Sequence, residues 1–114
     1  MGKIFPHSPL APRAGPYYGN GMTTIAFSLI GHNEAHILSR ALESVRWADE
    51  LVYVDCGSSD GSAEVARRFT NRVYSRPNNS NLNVNKTFGF EQTTADWVFY
   101  LDPDEVIQIG RAHV

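Results

Sequence analysis

The chain has 114 residues, 42% hydrophobic and 19% charged, which fits one globular domain at most and leaves no stretch approaching a membrane span. Its formal charge of −2 is unevenly spread: Lys3, Arg13 and Arg111 lie near the termini, leaving seven basic side chains against all 12 acidic ones between residues 22 and 108, a balance that argues against nucleic acid as the main partner. The single cysteine, Cys56, rules out a disulfide within the chain and fits a reducing compartment, and the N-terminus lacks the long apolar run of a secretory signal.

Residues 1–21 include Pro6, Pro9, Pro12, Pro16, Gly15, Gly19 and Gly21 without apolar periodicity, and read as a disordered extension. The domain is expected to start at Met22. Thr24 to Ile30 reads as a first buried strand, with Gly31-His32-Asn33-Glu34 as its exit turn. Ile37, Leu38, Ala41, Leu42 and Val45 then recur at helical spacing, with Asn33 as the expected cap. His32, Glu34 and His36 invite a zinc reading, but His32 lies in the turn and the pattern is not His-Glu-x-x-His, so no zinc site is expected.

Leu51 to Val54 reads as the second strand, running into Asp55-Cys56-Gly57-Ser58-Ser59-Asp60-Gly61-Ser62. Small residues there free the backbone to approach a ligand, and a carboxylate at the strand end can accept from a base N–H or a sugar hydroxyl, which suits nucleoside recognition. The same residues also read as an ordinary turn in which Asp60 or Ser59 caps the next helix. Without a following Gly-Lys-Ser/Thr it is not a P-loop. Cys56, with no basic neighbour in sequence, is expected to be a packed residue and not a nucleophile.

A helix is expected over about Ser62 to Phe69, a short strand at Arg72 to Tyr74, an Asn-rich loop over Arg76 to Asn85 and a helix over Lys86 to Thr93. Asn78-Asn79-Ser80 and Asn85-Lys86-Thr87 formally match glycosylation acceptors, chance matches in the absence of a secretory route. Lys86 is the only lysine between residues 22 and 108; beside the loop it offers a point charge for a diphosphate, or else it is a solvated helix-face residue.

Trp97 to Leu101 is the last strand, rich in aromatic and β-branched residues, and it delivers Asp102-Pro103-Asp104-Glu105. If the chain stays extended, Asp102 and Asp104 face the same side and can share one hard cation, with Pro103 ending the ladder. Alternatively Asp102 is a helix N-cap, Pro103 the first helical residue and Glu105 the closing partner of a capping box. Strands alternating with helices predict an α/β fold, a mostly parallel sheet with crossover helices, with functional groups at the carboxyl ends of the strands, where Asn33, Asp55 and Asp102 fall. The final strand is expected to keep one open edge.

Taken together, Thr-Ile-Ala-Phe-Ser-Leu-Ile-Gly-His-Asn-Glu, Trp-Ala-Asp-Glu-Leu-Val-Tyr-Val-Asp-Cys-Gly-Ser-Ser-Asp-Gly-Ser and Trp-Val-Phe-Tyr-Leu-Asp-Pro-Asp-Glu resemble the nucleotide-binding half of family-2 glycosyltransferases of the GT-A fold, over about residues 22–107. The likeness is greatest to bacterial lipopolysaccharide-core and related cell-surface sugar transferases. It implies a nucleotide-diphospho-sugar donor, a saccharide or lipid-linked acceptor, and Mn2+ or Mg2+ as cofactor. It further implies donor contacts from Asn33, Glu34, Asp55, Gly57, Ser58, Lys86 and Asp102, with Asp102 and Asp104 as the metal-binding Asp-x-Asp motif. A cytoplasmic location at the inner face of the cell membrane follows from the same likeness. Three positions depart from the commoner pattern: Gly31-His32 for Thr-Tyr, Thr87 for Asn and Pro103 for Ala. A sugar nucleotidyltransferase is disfavoured, because no Gly-rich basic loop follows the first strand; a non-catalytic nucleotide-binding fragment is the remaining rival.

Members of that family continue well past the Asp-x-Asp motif, into the acceptor site and its catalytic base. Ile109-Gly110-Arg111-Ala112-His113-Val114 instead matches one reading frame of a common sequencing-library adapter, ATC GGA AGA GCA CAC GTC, and is expected to be read-through beyond a fold truncated near Gln108. On this expectation the chain itself is marginally stable and inactive as a transferase.

Overall fold

The computed structural model describes residues 4–6, by their backbone, and 23–108. In chain order the elements are β1 (Ile4–Pro6), β2 (Ile25–Gly31), α1 (Ala35–Ser44), β3 (Glu50–Asp55), α2 (Ser62–Arg67), β4 (Val73–Ser75), α3 (Leu82–Glu91) and β5 (Trp97–Leu101). They form one five-stranded sheet in the order β1-β5-β2-β3-β4. β5, β2, β3 and β4 run parallel, as expected of alternating strands and helices, and β1 alone is antiparallel. No helix among the described residues is long and apolar enough to cross a membrane.

Two expectations are corrected at the edge of the sheet. Residues 4–6 are not disordered: Ile4, Phe5 and Pro6 pair with Phe99, Val98 and Trp97. β5 therefore has neighbours on both sides, β1 and β2. A three-residue strand leaves no periodic signal to read, and Pro6, without an N–H, belongs at the end of such a pairing. The other residues of 1–21, and 109–114, lie outside the described residues.

Each parallel strand alternates between two apolar faces, the mark of a sheet covered on both sides. Phe27, Leu29, Leu51, Tyr53 and Leu101 pack with Leu38, Ala41, Leu42 and Val45 of α1 and its C-cap and with Ala66 of α2. On the other face Ile30, Val52, Val54, Cys56 and Tyr100 pack with Phe88 and Phe90 of α3. Gly89 lets α3 lie this close, since a Cβ there would collide with Ser28 Oγ and stand 3.3 Å from Val54 Cγ2. Alanine is the better helix former by about 1 kcal/mol, but overpacking typically costs about 1–3 kcal/mol. Gly89→Ala is thus expected to lose on the order of 1 kcal/mol of stability in urea unfolding, and a stabilised variant would show that α3 does not pack as described.

Carboxylates stitch the amino ends of the strands, a role the sequence reading did not assign them. Asp96 accepts from the amide and hydroxyl of Thr24 at 2.9 and 3.1 Å, and Asp49 accepts from Ile25 N at 2.8 Å. Glu50 accepts from Arg72 Nη1 at 2.8 Å, from Thr94 N at 2.9 Å and from the Thr94 hydroxyl at 2.6 Å. Burial works to raise the Glu50 carboxyl, but the Thr94 hydrogen bonds and the Arg72 charge outweigh it and hold the group below its ordinary value. A depressed folded-state value stabilises the fold above the ordinary glutamate range, and that contribution disappears as pH falls through the folded value. Glu50→Gln is expected to flatten the acid limb of a stability-versus-pH curve; an unchanged limb would show that Glu50 is not linked to folding.

Candidate functional site

β2 and β3 end side by side, Gly31 opposite Asp55, so their exit loops emerge together. A Cβ at Gly31 would lie 2.6 Å from the Tyr53 hydroxyl, and its absence lets that phenol pass and donate to Asp55 Oδ1 at 3.1 Å. Burial and the adjacent Asp55 carboxylate push the phenol upward, keeping it a neutral donor at physiological pH. Ser58 N donates to the other Asp55 oxygen at 2.9 Å, and Asp55 is only 5% exposed. The loop beyond turns through Gly57 and Gly61 at φ of 71° and 89°, conformations that favour glycine.

Asn33 does not cap α1. It takes φ of 55°, a left-handed conformation that asparagine tolerates better than most residues. Glu34 stands at the cap position and offers no side-chain bond. The bonds come from the other loop: Asn33 N donates to Ser58 Oγ at 2.8 Å, Glu34 N to Ser62 Oγ at 3.0 Å and Ala35 N to Asp60 Oδ2 at 3.0 Å. In return Asn33 Oδ1 accepts from Ser59 N at 2.8 Å. Asp60 also accepts from Ser62 N at 3.0 Å, the helix-start role expected of it, although Gly61 occupies the N-cap position of α2. The Ser62 hydroxyl and the Ala35 amide hold the Asp60 carboxyl below its ordinary value. Asn33, Ser58 and Asp60 thus form a seam that fixes one loop against the other.

A cleft of about 300 Å3 opens beside this seam, lined among others by His32, Glu34, Cys56, Tyr100, Asp102 and Asp104. The His32 ring is pinned: Nδ1 lies 2.6 Å from the Cys56 carbonyl and donates to it, leaving Nε2 to accept from the Asn33 amide at 3.2 Å. Cys56 is packed as expected; burial, ahead of any other influence, raises its thiol, and Asn85 Nδ2 donates to its sulfur at 3.3 Å. Among the described residues no three His, Cys, Asp or Glu side chains gather as a metal cluster.

Asp102-Pro103-Asp104-Glu105 is neither extended nor a helix start but a turn. Glu105 N donates to the Asp102 carbonyl at 2.9 Å, and the Glu105 carboxylate accepts from Asp102 N at 2.9 Å. That second bond is half of a capping box, but the chain then runs irregularly, with Ile107 N donating to Ser44 Oγ at 3.0 Å. Pro103 is buried and the two aspartates are exposed at the cleft. Two exposed carboxylates on one turn are an oxygen-only donor set of the kind hard cations take, with the remaining positions left to water or a ligand.

Helix α3 begins at Leu82, four residues ahead of the expected Lys86 start, because Asn81 caps it by accepting from Asn83 N at 3.1 Å. Asn85, a candidate glycosylation site by its sequence alone, is 2% exposed and donates to the Pro77 carbonyl at 2.9 Å. Lys86 next to it is half-buried, its ammonium 4.3 Å from the Tyr100 ring centroid, and Arg76 lies 4.3 Å over Phe88. Tyr100 shapes this region without having stood out in the sequence as a site residue; His32 and Asn85, singled out there only for a zinc reading and a glycosylation match, shape it through their bonds to the Cys56 carbonyl and sulfur. A larger groove of about 550 Å3, lined by Phe27, Trp47, Phe99, Val106 and Ile107 among others, lies on the α1 side of the sheet and offers mainly apolar contacts.

Residues 29–112 match the model of a family described as glycosyl transferase family 2, a span that reaches into the terminal segment to residue 112. A TPR repeat-containing protein of Synechococcus elongatus is 28% identical over 90 residues, 78% of this chain and 22% of that protein. Among solved structures, S. aureus TarS matches with a TM-score of 0.66 at 20% identity, over 75% of this chain and 28% of that one. Glucosyl-3-phosphoglycerate synthase of M. tuberculosis, solved with Mg2+ and uridine diphosphate, matches with a TM-score of 0.59 at 24% identity, over 74% of this chain and 34% of that one. Mannosyl-3-phosphoglycerate synthase of Rubrobacter xylanophilus gives a TM-score of 0.56 at 21% identity, over 78% and 33%. The fold is a partial GT-A-like α/β fold, and the chain spans about a third or less of the proteins it matches.

Proposed function

The chain belongs to glycosyl transferase family 2, and from that premise we propose that its cleft is the donor half of a sugar transferase, taking a nucleotide-diphospho-sugar for transfer to a saccharide or glycolipid acceptor. The observation that carries this reading is the meeting, in one cleft, of the Asp102–Asp104 turn with the loop seam anchored on Asp55, with Lys86 alongside. The seam presents a rim to a base and ribose, with Glu34 and Cys56 lining the cleft beside it. Because Asp55, Asn33 and Ser58 already hold one another, they act chiefly by fixing that rim. Lys86 brings positive charge toward a diphosphate. Asp102 and Asp104 would hold the divalent cation, Mg2+ or Mn2+, whose chemistry is to offset charge on the departing diphosphate. Both ions occur with uridine nucleotides in structures of the M. tuberculosis synthase, which supports the choice.

Transfer also needs a group to orient the acceptor and remove its proton, and nothing in the cleft is assigned to that step. The 114-residue chain is therefore proposed to bind donor without transferring, and the longer protein to act at the cytoplasmic face of the membrane. Incubation with labelled nucleotide-sugars, MnCl2 and glycolipid acceptors tests this. Transfer is expected from the longer protein only; turnover by the 114-residue chain would overturn the division of labour, and no transfer by the longer protein with any donor would favour a non-catalytic binding module.

A further inference from the structure

We propose that β1 is a tethered guard strand, and that the β5 edge it covers is a pairing surface for β5 of a second copy of this chain. The hydrogen bonding of β5 shows which groups the guard meets. Trp97 N donates to the Thr24 carbonyl at 3.1 Å, so Trp97 turns its backbone groups toward β2. Backbone groups point to alternate sides along a strand, which turns the N–H and C=O of Val98 to the other edge. There the register sets Val98 opposite Phe5, making these two the hydrogen-bonded pair, and sets Pro6 opposite Trp97, where no N–H is needed. The proline therefore costs this pairing nothing.

The closure is a reversible one. β1 has three residues and stands at the margin of the sheet, with β5 as its neighbour. Pro6 and Ile25 both lie opposite Trp97, one on each side, so they are two strand spacings apart, about 10 Å. Residues 7–24 join them, a length of chain able to span roughly 60 Å, so the tether does not clamp β1 in place. The same tether keeps a released β1 near its edge, at an effective concentration in the millimolar range, and a second copy at micromolar concentration competes poorly against that. What β1 covers is suited to self-pairing. Trp-Val-Phe-Tyr-Leu carries no charge, and Trp97 is 40% exposed. An uncharged, apolar edge is the feature through which sheets join, and identical edges on two copies can pair antiparallel about a two-fold axis.

Amide exchange of the isotope-labelled chain tests the guard, and sedimentation velocity from about 5 to 200 μM, well below the millimolar local concentration, tests the surface. In the wild-type chain the Val98 amide, directed at β1, is expected to exchange at least about tenfold faster than that of Phe99, which faces β2, and the chain to sediment as a monomer. Phe5→Pro removes the N–H opposite the Val98 carbonyl. That variant should form a concentration-dependent dimer, its Val98 amide regaining protection as the dimer fills. Adding Trp97→Lys, which puts a charge on the exposed edge, should return it to a monomer. Equal exchange of Val98 and Phe99 in the wild-type chain, or a wild-type dimer, overturns the guard; the exchange comparison decides by itself should Phe5→Pro lose its near-ultraviolet circular dichroism. A folded Phe5→Pro chain that stays monomeric, or a dimer that Trp97→Lys leaves intact, overturns the pairing surface.

Discussion

Asp104→Asn is expected to lower metal-dependent sugar transfer by the longer protein at least about a hundredfold, the loss typical of removing one electrostatic stabiliser of a transition state. The amide keeps the shape of the Asp102–Glu105 turn, whose two bonds use the Asp102 backbone and the Glu105 amide and carboxylate, not the Asp104 side chain. Folding should therefore be unaffected while a hard cation loses one of its two protein carboxylates. Initial rates at varied Mn2+ and Mg2+ check it: the variant should need more metal and still fall short at saturation. Wild-type rates at ordinary metal concentration would mean that Asp104 is only a turn residue.

The second large effect is expected at Asp55 and is one of stability. Asp55→Ala leaves the Tyr53 hydroxyl and the Ser58 amide without their acceptor. Each buried unsatisfied group costs about 1–3 kcal/mol, so a loss of about 2–5 kcal/mol is expected. Asp55→Asn, whose amide retains one accepting oxygen, should lose roughly half as much. Urea unfolding of the three proteins measures both. Stability within about 0.5 kcal/mol of wild type for Asp55→Ala would show that the carboxylate faces a ligand and does not hold the loop.

These two aspartates also mark where the sequence was readable and where it was not. β5 was legible to the residue, because Trp-Val-Phe-Tyr-Leu is apolar on both faces and Asp102-Pro103 stops it. The parallel order followed from the alternation of strands and helices, which leaves little else for such a chain to build. What could not be read is tertiary. Asn33 was assigned to cap α1 by proximity, whereas the amide of Ala35 is reached by Asp60, 25 positions further along the chain. Asp55 was legible as a strand-end carboxylate but not as one already engaged by Tyr53 and Ser58, since that depends on Gly31 leaving room for a phenol. The start of α3 was masked by the asparagines of residues 78–85, which favour loops in isolation; here Asn81 caps the helix and Asn85 is buried inside it. The pairing of Ile4–Pro6 with β5 joins residues more than 90 positions apart and has no local signature.

The most direct test of the donor site is paramagnetic broadening of the amide spectrum of the isotope-labelled chain, with Mn2+ added at substoichiometric amounts in the presence of a nucleoside diphosphate. Signals of Asp102, Asp104 and Glu105 are expected to vanish first, followed by those of His32, Glu34 and Cys56 across the cleft, and Asp104→Asn to abolish the pattern. Broadening centred on Trp47 and the residues of the apolar groove, or broadening that nucleotide does not enhance, would contradict it.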